Sequence, residues 1–218
     1  MDELPKTTLD TLLDGFQEDC NQCRGLYYTI LRLNNDYPTD FSIDLRNIIV
    51  EHGLLQTFGK WERFLESIFI EYMMGRKSKN GNTVNRYVVP VDEQHAYRMI
   101  QNVTTYPDWT DIAKITTNAE NFFENGGPFL LLTTMKSELN AIKKLRNFIA
   151  HHSEKSRKDF EDLVRGKIGY LPDDITPAVF LVDYKVGKKK TDLSFFEHYI
   201  QFLSDAARLL VEYNENTT

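Results

Sequence analysis

The stretch 54-LLQTFGKWERFLESIFIEYMMG-75 determines the fold class that we expect for this chain. Its large apolar side chains recur every three or four positions, from Leu55 through Trp61 and Ile68 to Tyr72, which is the period of a helix with one buried face. Because so many of these residues are large, they indicate a central helix. Gly75 is a typical C-terminal stop.

The same spacing continues on both sides of this stretch. Upstream it predicts one long helix from about Thr7 to Asn34, which ends in the turn before Pro38, and a second helix from Ile43 to Glu51. Downstream it predicts a short helix from Asp92 to about Gln101 and another from Asp108 or Thr110 to the break at 125-NGGP-128. A longer helix is predicted from Phe129 to His152, and Ser153 can cap the helix that follows it. The last predicted helix runs from Asp192 to about Tyr213.

Two segments interrupt the helical pattern. Residues 76–91 contain the turn signal Asn80-Gly81, so we expect a surface insertion that is briefly extended from Tyr87 to Val91. Residues 169–190 read as non-helical, with a strand or an extended wrap at Val179 to Val182. The sequence therefore predicts an all-α bundle in one domain, residues 1–218, with a surface insertion and a partly extended segment before the last helix.

Composition narrows the class of protein. Hydrophobic residues make up 41% and charged residues 27% of the 218 residues, which is typical of folded globular proteins. The apolar runs are short and the first residues have neither a basic region nor an apolar signal segment, so we expect a cytoplasmic protein with no membrane partner. The net charge of −6 argues against tight, non-specific binding to nucleic acid, although a local basic surface stays possible.

Basic residues are grouped at four places. The groups are Arg76, Lys77 and Lys79; Lys143, Lys144 and Arg146; Arg157 and Lys158; and Lys188, Lys189 and Lys190. Each group alone is more typical of a solvated surface than of a binding site. Only the group with Arg146 adjoins other chemically capable residues.

Most enzyme and cofactor signatures are missing from the sequence. Cys20 and Cys23 form a CxxC pair, but the βαβ context of a redox site and the further ligands of a zinc site are both missing. The loop 125-NGGP-128 lacks the following Lys-Ser/Thr of a phosphate-binding loop, and the five histidines do not have zinc spacing. We expect no cofactor and no metal.

The stretch 145-LRNFIAHH-152 places Arg, Asn and two His residues within one amphipathic helix. Asn147 and His151 are four positions apart and share a face, with Lys143 one turn earlier, so the amide could orient the imidazole. Arg146 and His151 are five positions apart, which separates their directions by roughly 140° unless the helix bends or ends there. These residues could also have a purely structural role, in which they interact with the helix macrodipole and hydrogen-bond the free carbonyls at a helix end.

The string 146-RNFIAH-151 resembles the signature of the HEPN superfamily of α-helical domains. The segment 61–75, a spacer and the segment 119–164 resemble the helix order of HEPN ribonuclease-type domains found beside RNA-ligase and phosphatase partners, and the resemblance is strongest over residues 54–164. It implies a metal-independent endoribonuclease that leaves 2′,3′-cyclic phosphate and 5′-hydroxyl ends. In that scheme His151 is the general acid/base and Arg146 binds the scissile phosphate.

The resemblance also implies further site residues and partners. Asn147 would hold the geometry of the site, and Lys143 and His152 would contribute to substrate binding. Family members usually pair two copies of the motif, so we expect a homodimer through the helix that carries it, in which the Arg of one chain could serve the His of the other. A role as a toxin or antiviral defence effector, with an antitoxin or regulatory protein, is suggested by the family.

One departure from the family pattern affects the expected regulation. Some HEPN toxins are silenced by modification of a Tyr two positions after the motif His, and Ser153 occupies that position here.

Two other functions stay open: a HEPN-like domain that binds RNA or protein without cutting, and a helical adaptor.

Overall fold

The computed structural model describes residues 8–103, 107–187, 189 and 192–214, and within these ranges the chain is helical with isolated β-bridges only. The all-α prediction is confirmed. Lys188 and Lys190 of the fourth basic group lie outside the described residues. The helices are α1 (Thr8–Asp36), α2 (Ile43–Met73), α3 (Glu93–Val103), α4 (Ile112–Phe122), a 3₁₀ segment (Glu124–Thr133), α5 (Lys136–His151), α6 (Glu154–Ile168), α7 (Pro177–Asp183) and α8 (Phe195–Val211).

Helix α2 joins two helices that the sequence pattern separates. The predicted break near Gly53 is wrong, because this glycine lies inside the helix and is buried. A Cβ atom at Gly53 would lie 3.2 Å from the Sγ of Cys23 and 3.6 Å from the ring of Phe196. The residue is therefore small because neighbouring helices approach it closely, and not because the helix ends.

The motif helix is shorter than the pattern predicts. We expected a helix from Phe129, but α5 begins at Lys136 because the chain first follows the 3₁₀ segment. That segment starts with three left-handed residues, at Asn125, Gly126 and Gly127. A Cβ at Gly127 would lie 2.9 Å from Val84, so no larger residue fits there.

Three other predictions are adjusted in their bounds or in the type of structure. Helix α4 begins after Asp111, whose carboxylate accepts the Ala113 N–H, instead of at Asp108 or Thr110. Residues 179–182 lie in α7, so the predicted strand or extended wrap is wrong there. Thr176 caps α7 and Pro177 occupies its first turn, and these helix-start signals outweigh the β-branched valines. The extended part before α8 is found later, where Lys185 pairs with Ser194.

The chain divides into two compact units, and the assignment of a single domain to residues 1–218 remains a prediction. The first unit comprises Met1–Gln17, Lys60–Ser137 and Ser204–Thr218, and the second comprises Glu18–Gly59 and Glu138–Leu203. No helix within the described ranges is long and apolar enough to cross a membrane.

The first unit is built around aromatic side chains. The ring of Phe69 lies 4.7 Å from that of Phe129 and 5.0 Å from that of Phe123. Residues 76–91 are mostly at the surface, as predicted, but Val84 is buried and the amide of Asn82 donates to the Tyr213 carbonyl. This segment is therefore held by specific contacts at both of its ends.

The second unit contains all the predicted site residues. A row of rings runs from Phe148 of α5 through Phe160 of α6 to Phe180 of α7 and Phe195 of α8. Phe148 and Phe160 are stacked with centroids 5.1 Å apart, and Phe180 and Phe195 are stacked at 4.3 Å. These contacts fix the end of α5 against the start of α6.

Candidate active site

Helix α5 presents a buried face and a polar edge, as its sequence predicts. Leu139, Ile142, Leu145 and Ile149 are buried. Lys143, Arg146 and Asn147 are partly buried along the edge, and His151, the last residue of the helix, is exposed. A partly buried arginine and an exposed imidazole are thus carried on a helix whose other face is anchored in the core.

Arg146 and His151 meet within one chain. The Nη1 atom of Arg146 lies 3.4 Å from the Nε2 atom of His151. The expected divergence of about 140° does not keep the two groups apart, because the long arginine side chain reaches around the last turn of the helix. Since α5 ends at His151, no further turn covers the imidazole.

Whether this contact is a hydrogen bond depends on the tautomer of His151. A guanidinium has only donors, so Arg146 can hydrogen-bond Nε2 only when that nitrogen carries a lone pair. In that tautomer an unprotonated nitrogen would lie beside a positively charged guanidinium. An anionic oxygen placed between them could take hydrogen bonds from Arg146, while Nε2 stays within reach of an acidic proton.

Asn147 contacts the arginine rather than the histidine. Arg146 Nη1 donates to Asn147 Oδ1 over 3.2 Å. We expected the amide to orient the His151 imidazole from one turn below, but the bond that the structure places at Asn147 holds the guanidinium. The amide oxygen and Nε2 together restrict the position of Nη1.

His152 has a different environment from that of the pair. It has a φ of +46°, one of three non-glycine residues in the described ranges with positive φ. Its N–H donates to the Phe148 carbonyl over 3.0 Å, and its ring lies 5.4 Å from the Phe148 ring. These are the features of a left-handed helix cap with its side chain packed on the last turn. Ser153 then caps α6 by accepting the Ser156 N–H, as predicted.

Glu51 of α2 is a neighbour of His152 that the sequence did not indicate. Its carboxylate accepts the Ala178 N–H at the start of α7 over 3.1 Å. Burial raises the pKa of Glu51, while the Ala178 N–H and the charge of His152 act in the opposite direction. No sequence signal could have found this residue, since it is 101 positions before His152.

Positive charge is concentrated around the pair. Between Lys143 and Lys158 the chain has six lysine or arginine residues and one acidic residue, Glu154, although the whole chain is acidic. Arg157 of α6 lies with its Cζ 5.5 Å from the centre of the Phe148 ring. From the sequence we interpreted Arg157 and Lys158 as part of a solvated surface. The position of Arg157 over the ring follows only from how α6 packs on α5.

Metal ligands are not gathered at this end of α5. In the part of the chain that the structure describes, no three His, Cys, Asp or Glu residues are placed to hold a metal ion. Cys20 and Cys23 are not joined in a disulfide.

Comparison with known proteins provides no relative for this chain. No family model matches it, and no curated protein and no solved structure is significantly similar to it. The functional argument therefore has to come from the residues themselves.

Proposed function

We propose that the protein is a metal-independent endoribonuclease whose reacting groups are Arg146 and His151. The observation that carries this proposal is the 3.4 Å separation of Arg146 Nη1 from His151 Nε2. A guanidinium that binds a phosphate and an imidazole that moves a proton are together sufficient for ribose-assisted cleavage of RNA. The resemblance of 146-RNFIAH-151 to the HEPN signature points to the same chemistry.

The proposed step uses the ribose of the substrate as the nucleophile. His151 Nε2 accepts the proton of the 2′-hydroxyl as its oxygen forms a bond to the adjacent phosphorus. The bond from phosphorus to the 5′-oxygen breaks, and that oxygen takes a proton from solvent. Arg146 stabilises the charge that grows on the phosphate oxygens, so the products carry a 2′,3′-cyclic phosphate and a 5′-hydroxyl.

The other predicted site residues support this pair. Asn147 holds the guanidinium of Arg146 through its amide oxygen. Lys143 lies one turn before Asn147 on the same edge and adds positive potential for an anionic substrate. His152 is exposed next to the reacting histidine and belongs to the surface that the RNA would approach.

We extend the proposal to assembly and biology on the strength of the resemblance. Two copies would pair through α5 as a homodimer, with each chain supplying its own Arg146 and His151. The activity would serve as a toxin or an antiviral defence effector and would be restrained by an antitoxin or regulatory protein. Expression of the wild type should then slow growth, and expression of His151→Ala should not.

A second candidate is an RNA- or protein-binding module that does not cut. It is favoured by the net charge of −6, which is unusual for a protein that must approach a polyanion. The basic residues around α5 would still bind, but the imidazole would have no proton to move. Binding without cleavage would distinguish this candidate from the nuclease.

The test is cleavage of a single-stranded RNA by purified protein in the presence of EDTA. The wild type should cut and leave cyclic phosphate ends, while His151→Ala and Arg146→Ala should each lower the rate at least about 100-fold. The matched controls are His52→Ala, at an exposed histidine of α2, and Arg165→Ala, at an exposed arginine of α6. RNA that stays intact with the wild type, or equal cutting by His151→Ala, would refute the proposal, provided that circular dichroism shows both proteins folded.

A further inference from the structure

Arg157 is an exposed guanidinium that is held in place by an aromatic ring. Its Cζ lies 5.5 Å from the centre of the Phe148 ring, within the range of a cation–π contact. The other neighbours of this ring are Phe160, stacked at 5.1 Å, and His152, tilted at 5.4 Å. Because Phe148 is buried, it provides a rigid support for the cation at the surface.

This support is next to the proposed reacting histidine. Phe148 and His151 are three positions apart on α5, so their side chains are neighbours on the helix surface. Arg146 Nη1 lies 3.4 Å from Nε2 of the same imidazole and donates to the Asn147 amide oxygen. Arg157 is therefore held over the ring of a residue that lies one helical turn before His151.

No carboxylate in the described part of the chain pairs with either arginine. Among the residues that the structure describes, Arg146 and Arg157 make no ion pair, whereas Arg165 on the same helix as Arg157 pairs with Glu161 and Asp162. A guanidinium that rests on a ring keeps its in-plane N–H donors available for anionic oxygens. Glu154 is the only acidic residue between Lys143 and Lys158 in the sequence, and Glu51 of α2 is a further carboxylate that lies near His152.

We propose that Arg157 binds an RNA phosphate that flanks the scissile one. The preferred substrate would then be an internal linkage of a polynucleotide, and a dinucleoside monophosphate, which has a single phosphate, would be a poor one. This inference rests on the proposed function, because it places the scissile phosphate at Arg146 and His151. It adds a specificity residue that lies on a different helix from the motif.

The first test compares a substrate that has a single phosphate with one that has several. Arg157→Gln should raise KM about tenfold for a ten-nucleotide RNA, with a much smaller change in kcat, because one charge-assisted contact is lost. The loss should be several-fold smaller with the dinucleotide UpA. Arg157→Lys should recover part of the loss, and Arg165→Gln, the matched control on α6, should behave as the wild type. An unchanged KM for the long RNA in Arg157→Gln would overturn the proposal.

The second test does not depend on cleavage. Binding of a fluorescent, 2′-O-methylated ten-nucleotide RNA is measured by anisotropy at several salt concentrations, with and without Arg157→Gln. The variant should reduce the slope of log K against log salt by about 0.7, the value for one lost contact to a single strand. If the variant lowers the slope as expected but the wild type does not cut RNA, the nuclease proposal fails and the phosphate site stands. If the slope is unchanged, the phosphate site fails.

Discussion

The left-handed turn at His152 leads to a prediction about backbone strain. A non-glycine residue in this region costs about 1 kcal/mol, and the cost is larger for a β-branched side chain. His152→Gly would relieve this strain but lose the ring contact with Phe148, worth about 1 kcal/mol, and would make the unfolded chain more flexible. His152→Val would lose the same ring contact and add strain. We therefore expect the glycine variant to be more stable than the valine variant by about 1 to 2 kcal/mol.

The measurement is the free energy of unfolding of the two variants in urea, supported by their melting temperatures. For a chain of this length a difference of 1 kcal/mol corresponds to about 2 to 4 °C. Because both variants lack the imidazole, the difference between them isolates the backbone. Equal stability, or a more stable valine variant, would show that the turn at residue 152 is not left-handed and that α5 does not end as described.

Two further predictions concern the second unit. Partial burial acts to raise the pKa of Glu138, but hydrogen bonds from Lys167 and His198 and their charges outweigh it, so the pKa lies below its ordinary value. The ion pairs therefore add stability above about pH 4.5, and this stability is lost as the pH falls through the lowered pKa. Glu138→Gln should lower the free energy of unfolding by about 1 kcal/mol at pH 7 and by less at pH 3.5, as measured by urea unfolding. In α2, Gly59→Ala meets open space and should stabilise the protein by up to about 1 kcal/mol. Gly53→Ala, which would press on Cys23, should lack that gain, and equal melting temperatures for the two variants would contradict the packing at Gly53.

The positions of the helices were largely predictable because apolar spacing records which face is buried. Helices α1 and α8 begin and end within a few residues of the predicted points, and α6 begins where Ser153 was predicted to cap it. The break predicted at Gly53 failed because a glycine can mark either a helix end or a close approach of other helices. Only the positions of Cys23 and Phe196 distinguish these two cases.

Local signals conflicted at α7. The run of valines favoured a strand, whereas Thr176 and Pro177 favoured the start of a helix, and the structure follows the cap. The start of α5 could not be read from spacing, because apolar residues continue through the 3₁₀ segment without a change of period. The positive φ values at Asn125 to Gly127, near the start of the 3₁₀ segment, leave no trace in the apolar spacing.

The candidate site was predictable in its residues but not in its contacts. The sequence singled out Arg146, Asn147 and His151, and helix geometry gave the angles between them. Side-chain reach and the end of the helix decide the 3.4 Å contact, and neither follows from spacing. The place of Arg157 depends on the packing of α6 against Phe148, which a single sequence does not reveal.

The most direct test of the central claim is a mixing experiment with two inactive variants. We claim that Arg146 and His151 of the same chain act together. Arg146→Ala and His151→Ala are co-expressed with different tags, and the assembly that contains both variants is isolated. This mixed assembly should be as inactive in RNA cleavage as either variant alone. Recovery of cleavage in the mixed assembly would show that the arginine of one chain serves the histidine of another. That result would contradict the pairing within one chain.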